Sequence, residues 1–274
     1  MKQDKPIAIF DSGVGGLTVY QALRRTLPRE RFLYLGDTAR VPYGTKSAAT
    51  VAKYSLQNAQ FLVSQGIKML VVACNTASAY AMETLVDHFD MPVLGVIPAG
   101  VRRAVALSRH KRVGVIATES TIQSQCYQNQ IWDIDPDMAV HALPCPLFVP
   151  LVEEGWLDHP VTRDVARVYL AEMTRRQVDT LILGCTHYPM LKGVISEVLG
   201  PDVILVDSAE AVALEIGGIL TTLNLERRSA AAPEPDEFYV TDSTEKFQKV
   251  AEIFLARTLD NLRHVDLTLL PKID

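Results

Sequence analysis

No stretch of the chain reaches the ~18 consecutive apolar residues that a spanning helix needs, so no membrane segment is expected. Near the N-terminus Lys2 and Lys5 supply charge. The apolar run Ile7–Phe10 that follows stops at Asp11, too short for a secretory signal. A cytoplasmic protein with no membrane partner is expected. There is no basic block either: 27 Lys and Arg face 32 Asp and Glu, a net charge of −5, so nucleic acid is not an expected partner. CxxC pairs are missing as well. In a reducing cytoplasm Cys74, Cys126, Cys145 and Cys185 are expected as free thiols, each a small core residue or a reactive group. Structural zinc takes four converging ligands, usually in paired spacing, so no metal is expected even where His187 follows Cys185 closely.

What is present is a regular alternation. Continuous apolar runs at Ile7–Phe10, Phe32–Leu35, Met69–Val72, Val93–Ile97, Val113–Ile116, Met138–Leu143, Thr180–Leu183 and Val203–Val206 read as strands buried on both faces. Helical patterns lie between them. The clearest places Ala48, Val51, Ala52, Ser55, Ala59, Leu62 and Val63 on one stripe. This alternation predicts parallel sheets covered by helices. The strand signals also recur in order: Ile7–Ser12 lines up with Val113–Thr118, Phe32–Asp37 with Ala139–Pro144, the run ending at Cys74 with that ending at Cys185, and Val93–Val96 with Val203–Val206. The offsets are 106, 107, 111 and 110 residues. The expected fold class is therefore α/β, with two pseudo-symmetric, doubly wound parallel-sheet domains facing each other across a central cleft. Residues 1–97 with 208–274 are expected to form the first lobe and 98–207 the second. In the tail, Ser208–Leu223 reads as a helix, Arg227–Asp236 as an exposed loop, Ser243 as the start of a helix to about Leu259, and Val265–Leu269 as a short strand.

Ligands of open parallel sheets bind beyond the carboxyl ends of the strands. Those ends carry Asp11-Ser12-Gly13, Cys74-Asn75-Thr76, Thr118 and Cys185-Thr186-His187. Each lobe thus offers one cysteine at an equivalent place, and two facing lobes would set two thiols on opposite walls. Inverting a stereocentre needs a base on one face and an acid on the other, a task that a thiolate and a thiol perform in both directions. A helix pattern following each cysteine would favour a thiolate. Asn75, Thr76 and Thr186 offer donors for substrate carboxylates, Asp11 can accept from an ammonium or orient a base, and His187 can tune Cys185. Cys126 and Cys145 lack polar strand-end neighbours and read as buried structural thiols.

The motifs Asp11-Ser-Gly-Val-Gly-Gly16, Val41-Pro-Tyr-Gly44, Ala73-Cys-Asn-Thr76, Glu153-Glu-Gly155 and Gly184-Cys-Thr-His187 resemble those of the bacterial glutamate racemases. The resemblance runs in order from about residue 7 to about 210, while the tail contributes little to it. It implies that Cys74 and Cys185 are the acid/base pair, that Asp11 and His187 assist proton transfer, and that Glu153 lies near the second cysteine. It further implies that Ser12, Pro42, Tyr43, Gly44, Asn75, Thr76, Thr118, Thr121 and Thr186, with Asp11 and His187, line the substrate site. Such enzymes use no pyridoxal phosphate, metal or other cofactor, commonly form homodimers, and supply D-glutamate for peptidoglycan.

Other readings are open at this level. An aspartate or hydantoin racemase would keep both cysteines and change the pocket. A protein-binding module is the alternative of another class: some relatives of these racemases are associated with DNA gyrase inhibition, although no sequence feature here calls for that partner. A thiol-redox pair would need Cα atoms within about 7 Å, which a substrate-sized gap prevents. The glycines of Gly13-Val-Gly15-Gly16 suggest a dinucleotide site with Asp37 as the ribose acid, but Thr18 stands where the last glycine belongs.

Overall fold

A computed structural model describes residues 2–229 and 231–267. Its ten strands are β1 (Ile7–Asp11), β2 (Phe32–Gly36), β3 (Met69–Val72), β4 (Val93–Gly95), β5 (Arg112–Ala117), β6 (Ala139–Pro144), β7 (Thr180–Gly184), β8 (Ile204–Asp207), β9 (Glu237–Val240) and β10 (Leu262–His264). They form two wholly parallel sheets, of order β10-β9-β2-β1-β3-β4 and β6-β5-β7-β8. The order β2-β1-β3-β4 in one sheet repeats as β6-β5-β7-β8 in the other, which is the two-lobed pseudo-symmetric fold that the repeated strand signals predict.

The inner runs β1, β2, β3, β5 and β7 become strands because both of their faces are covered. In β1, Ile7 and Ile9 pack into one core while Ala8 and Phe10 pack into another, the two-residue alternation of a pleated strand. The first of these cores is shared. It takes Ile7, Val71 and Ala73 from the first sheet together with Ile116, Leu183 and Cys185 from the second, so the lobes are joined by buried apolar surface. The helix Ala48–Ser64 begins where the Ser47 hydroxyl accepts the Thr50 N–H at 3.3 Å, and it buries Val51, Ser55, Ala59 and Leu62 on one stripe. Beyond it, Gly66 takes a positive φ of 78°, the left-handed turn that glycine favours after a helix.

Four expectations need correction. The strand expected over Val93–Ile97 stops at Gly95, and Val96–Leu107 is a helix, with Pro98 in the first turn where its missing N–H breaks no helical bond. β6 is an edge strand and only half-buried, not covered on both faces. In the tail, the helices Ser208–Thr222 and Thr244–Leu255 form, the latter capped by Ser243, but it ends at Leu255 rather than near Leu259. The expected strand Val265–Leu269 lies partly outside the described residues; the strand that forms is β10, three residues earlier. One strand is new: β9 pairs with β2, setting Phe238 opposite Tyr34, and β10 pairs with β9. The chain after 236 therefore extends the first sheet.

Lys68 and Glu30, just before the amino ends of β3 and β2, pair at 2.5 Å, both buried. The Lys68 ammonium also donates to the carbonyls of Gln3 and Leu225 at 2.8 and 2.7 Å, and Glu30 accepts the Arg227 N–H at 2.9 Å. This pair ties the N-terminus to the segment after the helix Ser208–Thr222. Among the described residues no helix is long and apolar enough to cross a membrane.

Candidate active site

The polar groups begin where the strands stop. Asp11 is the last residue of β1 and is fully buried. Its carboxylate accepts the Gly13 N–H at 2.9 Å and the Thr186 hydroxyl at 3.4 Å, so it reaches from one lobe into the other. Burial pushes its pKa up, against the pull of His187 and of the N–H groups of Gly13 and Gly16. The turn after Asp11 permits close contact between the lobes. A Cβ on Gly15 would lie 2.3 Å from Thr186 Oγ1 and 2.4 Å from His187 Nδ1. Thr18 secures the same seam by donating to the Thr186 carbonyl at 3.0 Å.

Cys74 follows β3 and caps the short helix Asn75–Tyr80. Its sulfur accepts the Ala77 N–H at 3.5 Å and donates to Ser12 Oγ at 3.6 Å. Burial pushes the thiol pKa up to about 12, and the nearby Asp11 charge adds to this; the Ala77 and Ser12 bonds oppose it. Cys74 is thus held as a thiol near neutrality.

Cys185 follows β7 in the other lobe. Its sulfur lies 3.8 Å from His187 Nδ1, and His187 Nε2 lies 3.0 Å from Glu153 Oε1. The ring edge packs on Phe254 at 5.6 Å and 85°. Burial alone would lower the His187 pKa, but the bonds to Cys185 and Glu153, with their charges, raise it to about 10. His187 is therefore an imidazolium at neutral pH, donating toward Cys185 from one nitrogen and toward Glu153 from the other. The local helix expectation fails for this cysteine. Only a turn and the short 3-10 helix Tyr188–Leu191 follow, and the α-helix begins at Lys192. A protonated histidine stands where a helix terminus was expected.

The third wall is the segment Val41-Pro42-Tyr43-Gly44. Tyr43 is buried, with its hydroxyl bonded to the Asp37 carboxylate and accepting from Asn58 Nδ2 at 3.0 Å. Asp37 also accepts from Arg40 at 2.7 Å and from Thr241 at 3.0 Å. Its carboxylate holds this wall and β9 together and is not free to bind a ribose. A Cβ on Gly44 would meet Thr118 Cβ at 2.7 Å, a second close crossing of the lobes. Beside it, Thr76 bonds to Thr118 and Thr121 at 3.0 and 2.9 Å, and Thr118 to Thr121 at 2.9 Å.

These groups enclose a cavity of about 60 Å³ between the lobes. Of the residues singled out in the sequence, Ser12, Pro42, Tyr43, Gly44, Cys74, Asn75, Thr76, Thr118, Glu153, Cys185, Thr186 and His187 line it. Asp11 and Thr121 stand behind the wall, bonded to Thr186 and Thr76. Cys145 is buried as expected, but Cys126 is only partly so and its sulfur accepts from Gln130 at 3.0 Å. Among the described residues, no three His, Cys, Asp or Glu side chains converge as metal ligands. Local pattern carries no signal for Phe254 against His187, nor for Tyr127, whose hydroxyl accepts from Asn75 at 2.7 Å. Both contacts join distant parts of the chain.

Known proteins resemble this arrangement over nearly its whole length. The profile of the Asp/Glu/Hydantoin racemase family matches residues 8–216. A glutamate racemase of Geobacter metallireducens is 51% identical over 263 residues, covering 96% of this chain and 97% of its own. The structure of a glutamate racemase from Bacillus anthracis superposes with a TM-score of 0.92 at 37% identity, covering 97% of this chain and 98% of that one. That of Francisella tularensis, solved in complex with D-glutamate, gives 0.90 at 40% identity with the same two coverages. The chain belongs to the Asp/Glu/hydantoin racemase family.

Proposed function

We propose that the chain interconverts L- and D-glutamate without a cofactor, using Cys74 and Cys185 as opposed acid/base groups. The observation that carries this reading is that the two thiols reach one cleft from the matching strand ends of two lobes. Their surroundings prepare unlike states. His187 sets a positive partner 3.8 Å from the Cys185 sulfur, while burial and Asp11 keep Cys74 protonated. The Cys185 thiolate takes the α-proton of the enantiomer whose C–H faces it. The α-carbon becomes a planar carbanion, and Cys74 donates its proton to the opposite face. One proton leaves and one enters, so the product is the mirror image. Cys185 is then the thiol and Cys74 the thiolate, which is the state needed by the other enantiomer. Each cysteine thus serves one direction.

The substrate class follows from the full-length likeness to glutamate racemases and from the polar lining. Two carboxylates and an ammonium need both donors and acceptors, and the Thr76, Thr118 and Thr186 hydroxyls with the Asn75 amide supply them. In the same reading the enzyme is cytoplasmic, its two lobes divide as 1–97 with 208–274 and 98–207, and it works as a homodimer supplying D-glutamate for peptidoglycan. The test is to incubate the purified protein with L-glutamate and no added cofactor and to follow circular dichroism. Loss of signal to zero supports the reading. Activity on L-aspartate alone would keep the mechanism and replace the substrate, and silence on both would overturn the proposal.

A further inference from the structure

Asn75 follows one cysteine directly and lines the cleft, but its amide is held by the other lobe. Its Nδ2 donates to the Tyr127 hydroxyl at 2.7 Å. Tyr127 lies on the helix Cys126–Ile134 and is fully buried. The Tyr127 hydroxyl lies 3.4 Å from Ser208 Oγ, and Ser208 Oγ lies 3.5 Å from the Leu183 carbonyl, two residues before Cys185. The bond from Ser208 to the Leu183 carbonyl gives this chain its direction. A carbonyl oxygen only accepts, so it takes the single Ser208 hydroxyl proton. Ser208 then accepts from Tyr127, which commits the Tyr127 proton. Burial pushes the Tyr127 pKa far up, so that proton stays in place. The Tyr127 oxygen is left to accept, and an amide nitrogen is the group that donates to it. The orientation of Asn75, which its shape alone leaves ambiguous, is thereby set.

The consequence lies at the other end of the amide. Asn75 Oδ1 is buried and accepts from no donor among the described residues. A buried oxygen without a donor is costly, and Asn75 is among the residues that line the cleft, so a ligand bound there can bring the donor that Oδ1 lacks. Resting on the racemase reading above, we infer that Tyr127 is a positioning residue: through Ser208 and the Leu183 carbonyl it holds Asn75 with its oxygen presented to the substrate ammonium. This reverses the sequence expectation, in which Asn75 served a carboxylate as a donor. It also makes one lobe dictate the polarity of a binding group carried by the other.

The test is Tyr127→Phe, which removes the hydroxyl and keeps the ring in its core. Binding of glutamate and of glutarate, the same dicarboxylate without the amine, is measured by calorimetry on wild type and variant, so turnover is not needed. A charged hydrogen bond lost at this strength weakens binding about tenfold. The expected result is that loss for glutamate, with glutarate binding unchanged within about twofold. Where turnover is measured, KM should rise about tenfold with kcat nearly unchanged, and Asn75→Ala should add nothing to Tyr127→Phe. Equal losses for glutamate and glutarate, unchanged glutamate binding, or additive effects of the two substitutions would overturn the inference. Ser208→Ala breaks the same chain elsewhere and should shift glutamate over glutarate in the same direction, which keeps the test decisive if Tyr127→Phe does not fold. Glutamate bound but not racemised would count against the proposed reaction alone; glutamate not bound by wild type would remove both.

Discussion

Glu153→Gln removes one of the two groups that hold the charge on His187. The substitution keeps the shape and removes one negative charge 3.0 Å from Nε2. Two unit charges about 4 Å apart interact by about 1 kcal/mol in water and about 4 kcal/mol at the effective dielectric of a protein surface. The Glu153 side chain is 44% exposed, so water screens it and the lower figure applies. About 1 kcal/mol corresponds to a little under one pH unit. The His187 pKa should therefore fall from about 10 to about 9, with the Cys185 contact keeping it above the ordinary histidine value. The assay is a titration of the ring by NMR on protein labelled at histidine, alongside the alkaline limb of kcat/KM. Because His187 is charged below its pKa, the variant should lose activity at lower pH than wild type, by about the same interval. A midpoint that stays at about 10 or moves upward would refute the assignment of Glu153 as the partner that stabilises the imidazolium.

Other outcomes follow from the same geometry. Cys74→Ser and Cys185→Ser should each lower racemisation by at least ~10²–10⁴-fold, the usual worth of a positioned acid or base, with the fold unchanged by far-ultraviolet circular dichroism. Gly15→Ala places a methyl on Thr186 and His187 and should cost on the order of 10²-fold in kcat/KM by shifting the ring from Cys185; full activity would show that the seam is loose. Lys68→Met strands the buried Glu30 carboxylate and should destabilise the protein by about 3–5 kcal/mol in urea unfolding. The His187 pKa is raised from 6.5 unfolded to about 10 folded, so its contribution to stability is complete below pH 6.5 and disappears as pH rises through 10. Unfolding of His187→Asn measured across that range should show a flatter pH dependence.

The parts of this protein that are legible in the sequence are those fixed by local pattern. Ile7–Phe10 announces a strand because four consecutive apolar residues run up to Asp11, and the second cysteine announces itself because its context repeats the first. The motif residues Asp11, Thr76, Thr186 and His187 come together because each sits at or just beyond a strand end and the sheets bring those ends to one place, while Tyr43 joins them from the loop after β2. What stayed hidden depends on partners far along the chain. β9 is a four-residue strand whose partner β2 lies about 200 residues earlier, and alone it is too short to stand out from the loop before it. Val96 and Ile97 look like a continuation of β4, yet the chain turns into a helix there, because apolar identity does not distinguish a buried strand from a buried helix. Tyr127 reads as one more core aromatic, and its use lies in a hydroxyl whose partner is 52 residues upstream in the other lobe. The helix expected after Cys185 is absent because Tyr188–Leu191 first forms a 3-10 turn, and His187 supplies the positive charge instead.

In the proposed reaction two thiols act on opposite faces of one carbon. Its most direct test is the initial rate of L-glutamate racemisation in D2O, with deuterium at the α-carbon read separately in the product and in the unreacted substrate. With two opposed thiols the D-glutamate is almost fully deuterated, since its proton comes from the second thiol, and the remaining L-glutamate is almost unlabelled, since the first thiol returns the proton it took. Equal labelling of both pools from the start would mean that one base serves both faces, and would contradict the opposed roles of Cys74 and Cys185.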